Sequence, residues 1–206
     1  MSSDWRKDLK ELYFPPTSKV VEVVVPDLKF LTIEGQGDPN TSQDFQSAVG
    51  ALYTLSFTLK FSLKKVDPSR DYKVGPLEGL WWNRDDGSLE QGMKDGVWKW
   101  KAMILQPSFI DGEALEKARK GAMSKKENPI LGKVILEEIE EGRCAQITHV
   151  GPWSAETENI NKVKSFIESK GGVPRGKHHE IYMSDPRRVP PEKLKTVIRQ
   201  PFTMND

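Results

Sequence analysis

A single cysteine, Cys144, stands in 206 residues, so the chain cannot carry an intrachain disulfide. No stretch approaches the roughly 18 consecutive apolar residues of a membrane span, and the opening segment, Met1 to Leu12, is charged and lacks the apolar centre of a signal segment. Neither sign of charge dominates. The 31 basic and 30 acidic side chains give a formal charge of +1 and alternate along the chain, leaving no basic stripe to track a phosphate backbone. No Gly/Ser-rich or Pro-rich linker separates two composition regimes. These absences lead to the expectation of one domain over residues 1–206, in the cytoplasm, with neither nucleic acid nor membrane as a direct partner. What is present is a hydrophobic fraction of 36%, enough for a real core, and six tryptophans.

The periodicity gives one order of elements twice. Phe30 to Glu34 reads as a strand broken by Gly35, Gly37 and Pro39; Thr41 and Asp44 open a long helix whose stripe includes Phe45, Val49, Leu52, Leu59 and Leu63. Strands over about Tyr72 to Trp82 and Val97 to Gln106 follow, and Asp111 opens a helix with Leu115, Ala118 and Ala122 on one face. The second half starts with strands Lys133 to Glu138 and Arg143 to Val150, joined by Glu141-Gly142 as a hairpin turn. A helix capped by Ser154 then runs through Ile160, Val163 and Ile167 to the stop at Gly171-Gly172. Strands Lys177 to Met183 and about Lys195 to Gln200 close the chain. The fold class this order implies is α+β: a pseudo-two-fold pair of strand-helix-strand-strand modules, about 19–110 and 130–206, forming an antiparallel sheet with two helices on one face and a cleft between the halves.

Within that frame, Glu180 is a lone carboxylate among apolar and aromatic neighbours. Strand alternation places His178, Glu180 and Tyr182 on one face and His179, Ile181 and Met183 on the other. By the same rule Trp98, Trp100 and Ala102 share a face, while Trp81 and Trp82 point oppositely, so that one of that pair lines the cleft and the other the core. Flat aromatic walls and an acid suit a planar aromatic or cationic ligand. Tyr53, at the edge of the long helix's stripe, can bring a hydroxyl to the cleft. His178 and His179 point to opposite faces with no third ligand at useful spacing, so no metal is expected. Gly35-Gln36-Gly37 lacks the third glycine of a dinucleotide fingerprint and reads as a turn, so no cofactor is expected either.

Three segments carry a family resemblance. Leu77-Glu78-Gly79-Leu80-Trp81-Trp82, then Trp98 to Pro107, and His179 to Pro186 with the tail Lys193 to Thr196 resemble the GyrI-like small-molecule-binding family. Within it, the chain is similar to the stand-alone subgroup that includes the cyclopropanoid cyclopropyl hydrolases, which open the cyclopropane of duocarmycin- and yatakemycin-type genotoxins. The resemblance implies two strand-helix-strand-strand modules and a Glu180 that projects into the ligand cleft. Together with the reading of the strands, the expected ligand-binding set is Trp81, Trp82, Trp98, Trp100, Met103 and Tyr182, with Glu180 and Tyr53 as catalytic residues. Regulators of this superfamily carry a DNA-binding module ahead of the domain; the resemblance here covers most of the chain from about Lys19 onward, and the some twenty residues before it are too few for a helix-turn-helix unit.

For a cyclopropane fused to a cross-conjugated dienone, Glu180 would activate or orient a water and Tyr53 or Tyr182 would donate to the developing oxyanion. Three classes of function follow: a hydrolase that detoxifies such electrophiles, a protein that binds or sequesters aromatic or cationic molecules, and an interaction protein such as a modulator of gyrase.

Overall fold

Two amphipathic helices and a set of alternating strands bury all their apolar sides when the helices lie on one face of a sheet. The computed structural model, which describes residues 4–83, 89 and 98–205, has this arrangement. Val97 and the rest of the stretch before Trp98 lie outside the described residues, Leu89 apart. In chain order the elements are α1 (Trp5–Asp8), α2 (Lys10–Tyr13), β1 (Val21–Val25), β2 (Leu28–Gln36), α3 (Gln43–Val66), β3 (Leu77–Trp82), β4 (Lys99–Gln106), α4 (Gly112–Met123), β5 (Ile135–Ile139), β6 (Gly142–Val150), α5 (Thr157–Ser169), β7 (Gly172–Pro174), β8 (His178–Tyr182) and β9 (Lys195–Met204).

The strands pair in the order β1-β6-β9-β8-β3-β4-β2-β5, all antiparallel, with β7 added to β9. The pseudo-two-fold runs between β3 and β8, which join the two modules along Leu77 to Trp81 and His178 to Tyr182. Helix α3 packs over β2 and β4, and α5 over β6 and β9, so the central β3-β8 pair lies between the helices. Buried Ala48, Leu52, Leu55 and Leu59 of α3 meet Leu31, Ile33, Ala102 and Ile104 of the sheet, and α4 joins the same cluster through Leu115, Ala118 and Ala122. Ile160, Val163 and Ile167 of α5 pack on Ala145, Ile147, Ile198 and Phe202.

Three local expectations are corrected. Glu141-Gly142 is not a hairpin turn: β5 pairs with β2, whereas β6 pairs with β1 and β9. The register shows why. Val25 stands opposite Gly142 and Leu28 opposite Ile139, so β1-β2 and β5-β6 form one bent ribbon that joins the two ends of the strand order. Gly142, at φ 62°, bends the path, and the Glu141 carboxylate turns inward to partners on β8 and β9 instead of out to solvent. Second, α3 is capped by Ser42, which accepts from Phe45 N–H, rather than by Thr41. Third, Ser154 lies in a 3-10 turn, Trp153–Ala155, and the residue at the N-cap position of α5 is Glu156, whose side chain makes no capping bond.

The opposite face of the sheet encloses a second core, with Leu80, Met103, Leu105, Ile181 and Val197 closed over by Leu12 and Tyr13 of the N-terminal segment. Inside it lies a charged chain. His179 Nδ1–H donates to Glu141 (2.9 Å) and Nε2–H to Glu78 (3.0 Å); both partners are carboxylates, so the imidazole carries both protons. Burial would lower the pKa of His179, but Glu141 and the two hydrogen bonds raise it above its ordinary value. Tyr13 donates to Glu78 (2.6 Å), and Arg199 donates to Glu141 (2.9 Å), Gln146 (3.0 Å) and the Leu12 carbonyl (2.7 Å). Two acidic and two basic side chains thus meet in one buried cluster. That pins the back of β8.

Candidate ligand-binding and catalytic site

Because β8 is held from behind at His179, its alternate residues present a fixed polar row to the gap between α3 and α5. Glu180 accepts from the Tyr182 hydroxyl on one oxygen (2.9 Å) and from His178 Nε2–H on the other (3.1 Å). Tyr182 is pushed well above the usual phenol range, by burial first and then by the charge of Glu180, so it stays a donor. Trp153, at the start of the turn before α5, sets its ring edge-on to Tyr182 with centroids 5.7 Å apart. A small depression beside this row is lined by His178, Leu89, Ile198 and the α5 residues Ile160, Val163 and Lys164.

Glu156 completes the constellation. It is 4% exposed and faces Glu180 and Thr196, yet its Oε1 and the Thr196 hydroxyl make no hydrogen bond of ordinary geometry. Burial, and then the negative charge of Glu180, push its pKa up to about 9. The sequence reading missed Glu156 and Trp153 because it began the helix at Ser154. The signal available was an acid following Gly151-Pro152-Trp153, next to a helix start it does not cap.

Glu156 has a consequence for stability. The folded protein keeps a proton there that an unfolded chain gives up near the ordinary value of 4.5, so stability falls as pH rises from about 4.5 to about 9. Glu156→Gln, which keeps the shape without the charge, is expected to stabilise the protein by about 3 kcal/mol at pH 7, with the gain vanishing near pH 4. Urea unfolding at the two pH values measures it.

The aromatic residues divide by face. Trp81 lies on the Glu180 side, with Phe45 at 5.6 Å and Trp98 edge-on at 6.3 Å. Its indole Nε1, near the Tyr182 oxygen, is buried without a hydrogen-bond partner of ordinary geometry. Trp98 is half-buried at the edge of the same cluster. Trp100 shares that face but is 1% exposed, packed over Gly35 and against Phe45 as core. Trp82 is on the opposite face, with the Lys177 ammonium 3.6 Å from its ring centre, and Met103 is fully buried in the second core. Strand alternation removes both from the cleft. Tyr53 is on α3, half-buried, near the Leu77 backbone; Leu77 is the residue directly opposite Tyr182. Burial raises its pKa, and its ring stacks on Phe57 at 6.2 Å.

Trp81 has its place because position 79 lacks a side chain. A Cβ on Gly79 would stand 2.7 Å from Trp81 Nε1 and 3.0 Å from Cε2, distances that force the indole to tilt. Gly79→Ala is expected to cost about 1–3 kcal/mol of stability by overpacking and to weaken binding of a planar ligand at least tenfold. Urea unfolding and a tryptophan-fluorescence titration report the two effects.

The fold and this site place the chain among small-molecule-binding domains, and it belongs to the family of GyrI-like small molecule binding domains, whose model matches residues 18–202. Three solved structures from Listeria innocua are similar over 98% of this chain and 100% of their own. One is an uncharacterized conserved protein (37% identity, TM-score 0.89), one a hydrolase (35%, 0.85) and one a hydrolase encoded by lin2189 (36%, 0.86). Comparison with curated proteins gave no match. Among the described residues no helix is long and apolar enough to cross a membrane.

Proposed function

We propose that the protein hydrolyses the strained cyclopropane of planar aromatic electrophiles of the duocarmycin and yatakemycin type, and so detoxifies them. The observation that carries this reading is a carboxylate, Glu180, oriented by two donors beside the aromatic cluster that includes Trp81, Trp98 and Tyr182. With the ligand plane set by Trp81 and Trp98, Glu180 takes a proton from a water whose oxygen bonds to the cyclopropane methylene carbon. The carbon–carbon bond to the ring junction breaks, its electron pair enters the dienone, and a phenolate forms. Tyr53 is the donor assigned to that oxyanion, because the Tyr182 proton is already given to Glu180. Two similar Listeria proteins bear the name hydrolase, which supports an enzyme of this broad class.

A second reading, binding or sequestration without turnover, is favoured by the same Tyr182 contact, which leaves one donor fewer for the substrate. Incubation with a duocarmycin-type compound, followed by product mass, separates the two. Repeated turnover to a ring-opened product heavier by one water supports the hydrolase; saturable binding of unchanged compound selects the second reading.

A further inference from the structure

Helix α3 leaves one of its faces to solvent although that face is aromatic. Phe57 and Phe61 are 43% and 60% exposed, and their rings stack at 6.1 Å; the ladder continues inward to Tyr53, which stacks on Phe57 at 6.2 Å. Single exposed apolar residues need no explanation, but two aromatic rings fixed side by side on one helix mark a contact surface. The same face carries Gly50 and Thr54. Gly50 lies in the helix interior, where glycine is unfavourable, and a Cβ there would meet no atom within 4 Å, so no contact among the described residues requires it. The Thr54 hydroxyl donates to the Gly50 carbonyl and that of Thr58 to the Thr54 carbonyl, both at 2.7 Å, so these polar atoms are already paired within the helix.

We propose that this face docks a second copy of the chain, with the two α3 helices antiparallel across a two-fold axis. Gly50, Thr54, Phe57 and Phe61 follow one another at steps of four, three and four residues, the seam of a helix pair, with small side chains in one half and large rings in the other. Reversing one helix against the other sets Phe61 over Gly50 of the partner subunit and Phe57 over the partner's Thr54. Each ring then meets a small residue, and the two-fold repeats the fit. A parallel pair would set ring against ring and gap against gap.

Charge selects the same direction. Asp44 lies in the first turn of α3 and Lys65 in the last; both are exposed, and neither has an ion-pair partner among the described residues. Lys64, by contrast, is held by Asp71 at 2.8 Å. An antiparallel pair brings each Asp44 towards Lys65 of the partner subunit and opposes the two helix dipoles, whereas a parallel pair sets like charge beside like. Such a dimer covers the outer rungs of the ladder and leaves Tyr53 at its inner end. It forms whether or not the cleft acts on a cyclopropane.

Sedimentation equilibrium of the intact protein from about 1 to 200 µM tests this, with the mass expected to rise from 23.4 kDa towards twice that value, as a weak contact of modest area allows. Phe61→Glu is expected to weaken association at least about tenfold while circular dichroism stays unchanged. Gly50→Leu separates the contact from unspecific stickiness. Its side chain has open space in the monomer and favours the helix, yet it fills the hole that the partner's Phe61 enters, so association should again fall at least about tenfold. Asp44→Lys and Lys65→Glu should each associate about two- to fivefold more weakly than the wild type when alone. Mixed in equal amounts they should pair with one another, because both contacts between the helix ends are restored. A monomer at every concentration overturns the proposal, as does a Gly50→Leu dimer as tight as the wild type, or charge variants that show no preference for each other. A monomer that sediments instead with anionic vesicles gives the ladder to a lipid surface and overturns it as well.

Discussion

Arg199→Met is expected to lower the stability of the protein by about 3–5 kcal/mol, because it strips a buried carboxylate of one cation while leaving the carboxylate in place. The guanidinium is 1% exposed and makes hydrogen bonds to three buried residues, Glu141, Gln146 and the Leu12 carbonyl. Burial alone would raise the pKa of Glu141; the charges of His179 and Arg199 and their hydrogen bonds reverse that and hold it at about 2. The sign of the pH dependence follows. A carboxyl held below its ordinary 4.5 contributes stability that is complete above that value and is lost as pH falls towards 2. His179, raised above 6.5, contributes in the opposite sense, fully below that value and less as pH climbs through the raised one. Urea unfolding at pH 7 should show the full loss for the variant, and its acid destabilisation should be shallower than the wild type's. Adding Glu141→Gln to Arg199→Met should recover a large part of the loss. If the single variant is as stable as the wild type, the buried network does not hold β8 in the way described.

Glu180→Gln is expected to reduce cyclopropane hydrolysis by about 10²–10⁴-fold while binding of the intact compound changes far less. Glutamine retains an oxygen that can accept from Tyr182 or His178, so the shape of the site survives and only the ability to take a proton from water is removed. The effect should therefore fall on kcat rather than on KM, measured with a duocarmycin-type compound and mass detection of the opened product. A variant that turns over at the wild-type rate would remove Glu180 from the chemistry and leave it, at most, a binding residue.

The order of elements in both modules was legible because each rests on local rules: the 3.6-residue stripe of α3, the Asp111 cap of α4, and the period-two alternation that sends Glu180 to one side of β8 and His179 to the other. Long-range pairing was not. Glu141-Gly142 has the composition of a tight turn, and only long-range partners, β1 and β2 across the ribbon and Arg199 and His179 at the Glu141 carboxylate, 58 and 38 residues away, show that the chain bends there without folding back on itself. The same limit hid Tyr13, whose role depends on Glu78, 65 residues on. At the site, alternation separated Trp81 from Trp82 but could not say which one shared a face with Glu180. That depends on the pairing of Trp81 with His178 across β3 and β8. Met103 carried no local sign of its direction beyond its parity with Trp100, which places it on the far side of the sheet.

The bent ribbon also constrains how the chain is made. The outer edge of β2 is completed by β5, and β1 finds its partner in β6, so the opening strands of the first module wait for segments that leave the ribosome more than a hundred residues later. Until then the nascent first half exposes unpaired backbone on β2 and has no final mate for β1, an invitation to edge-to-edge association with other chains. Neither half is therefore expected to fold on its own despite the internal symmetry. A break between α4 and β5 should yield two fragments that are insoluble when produced apart and recover native structure when produced together.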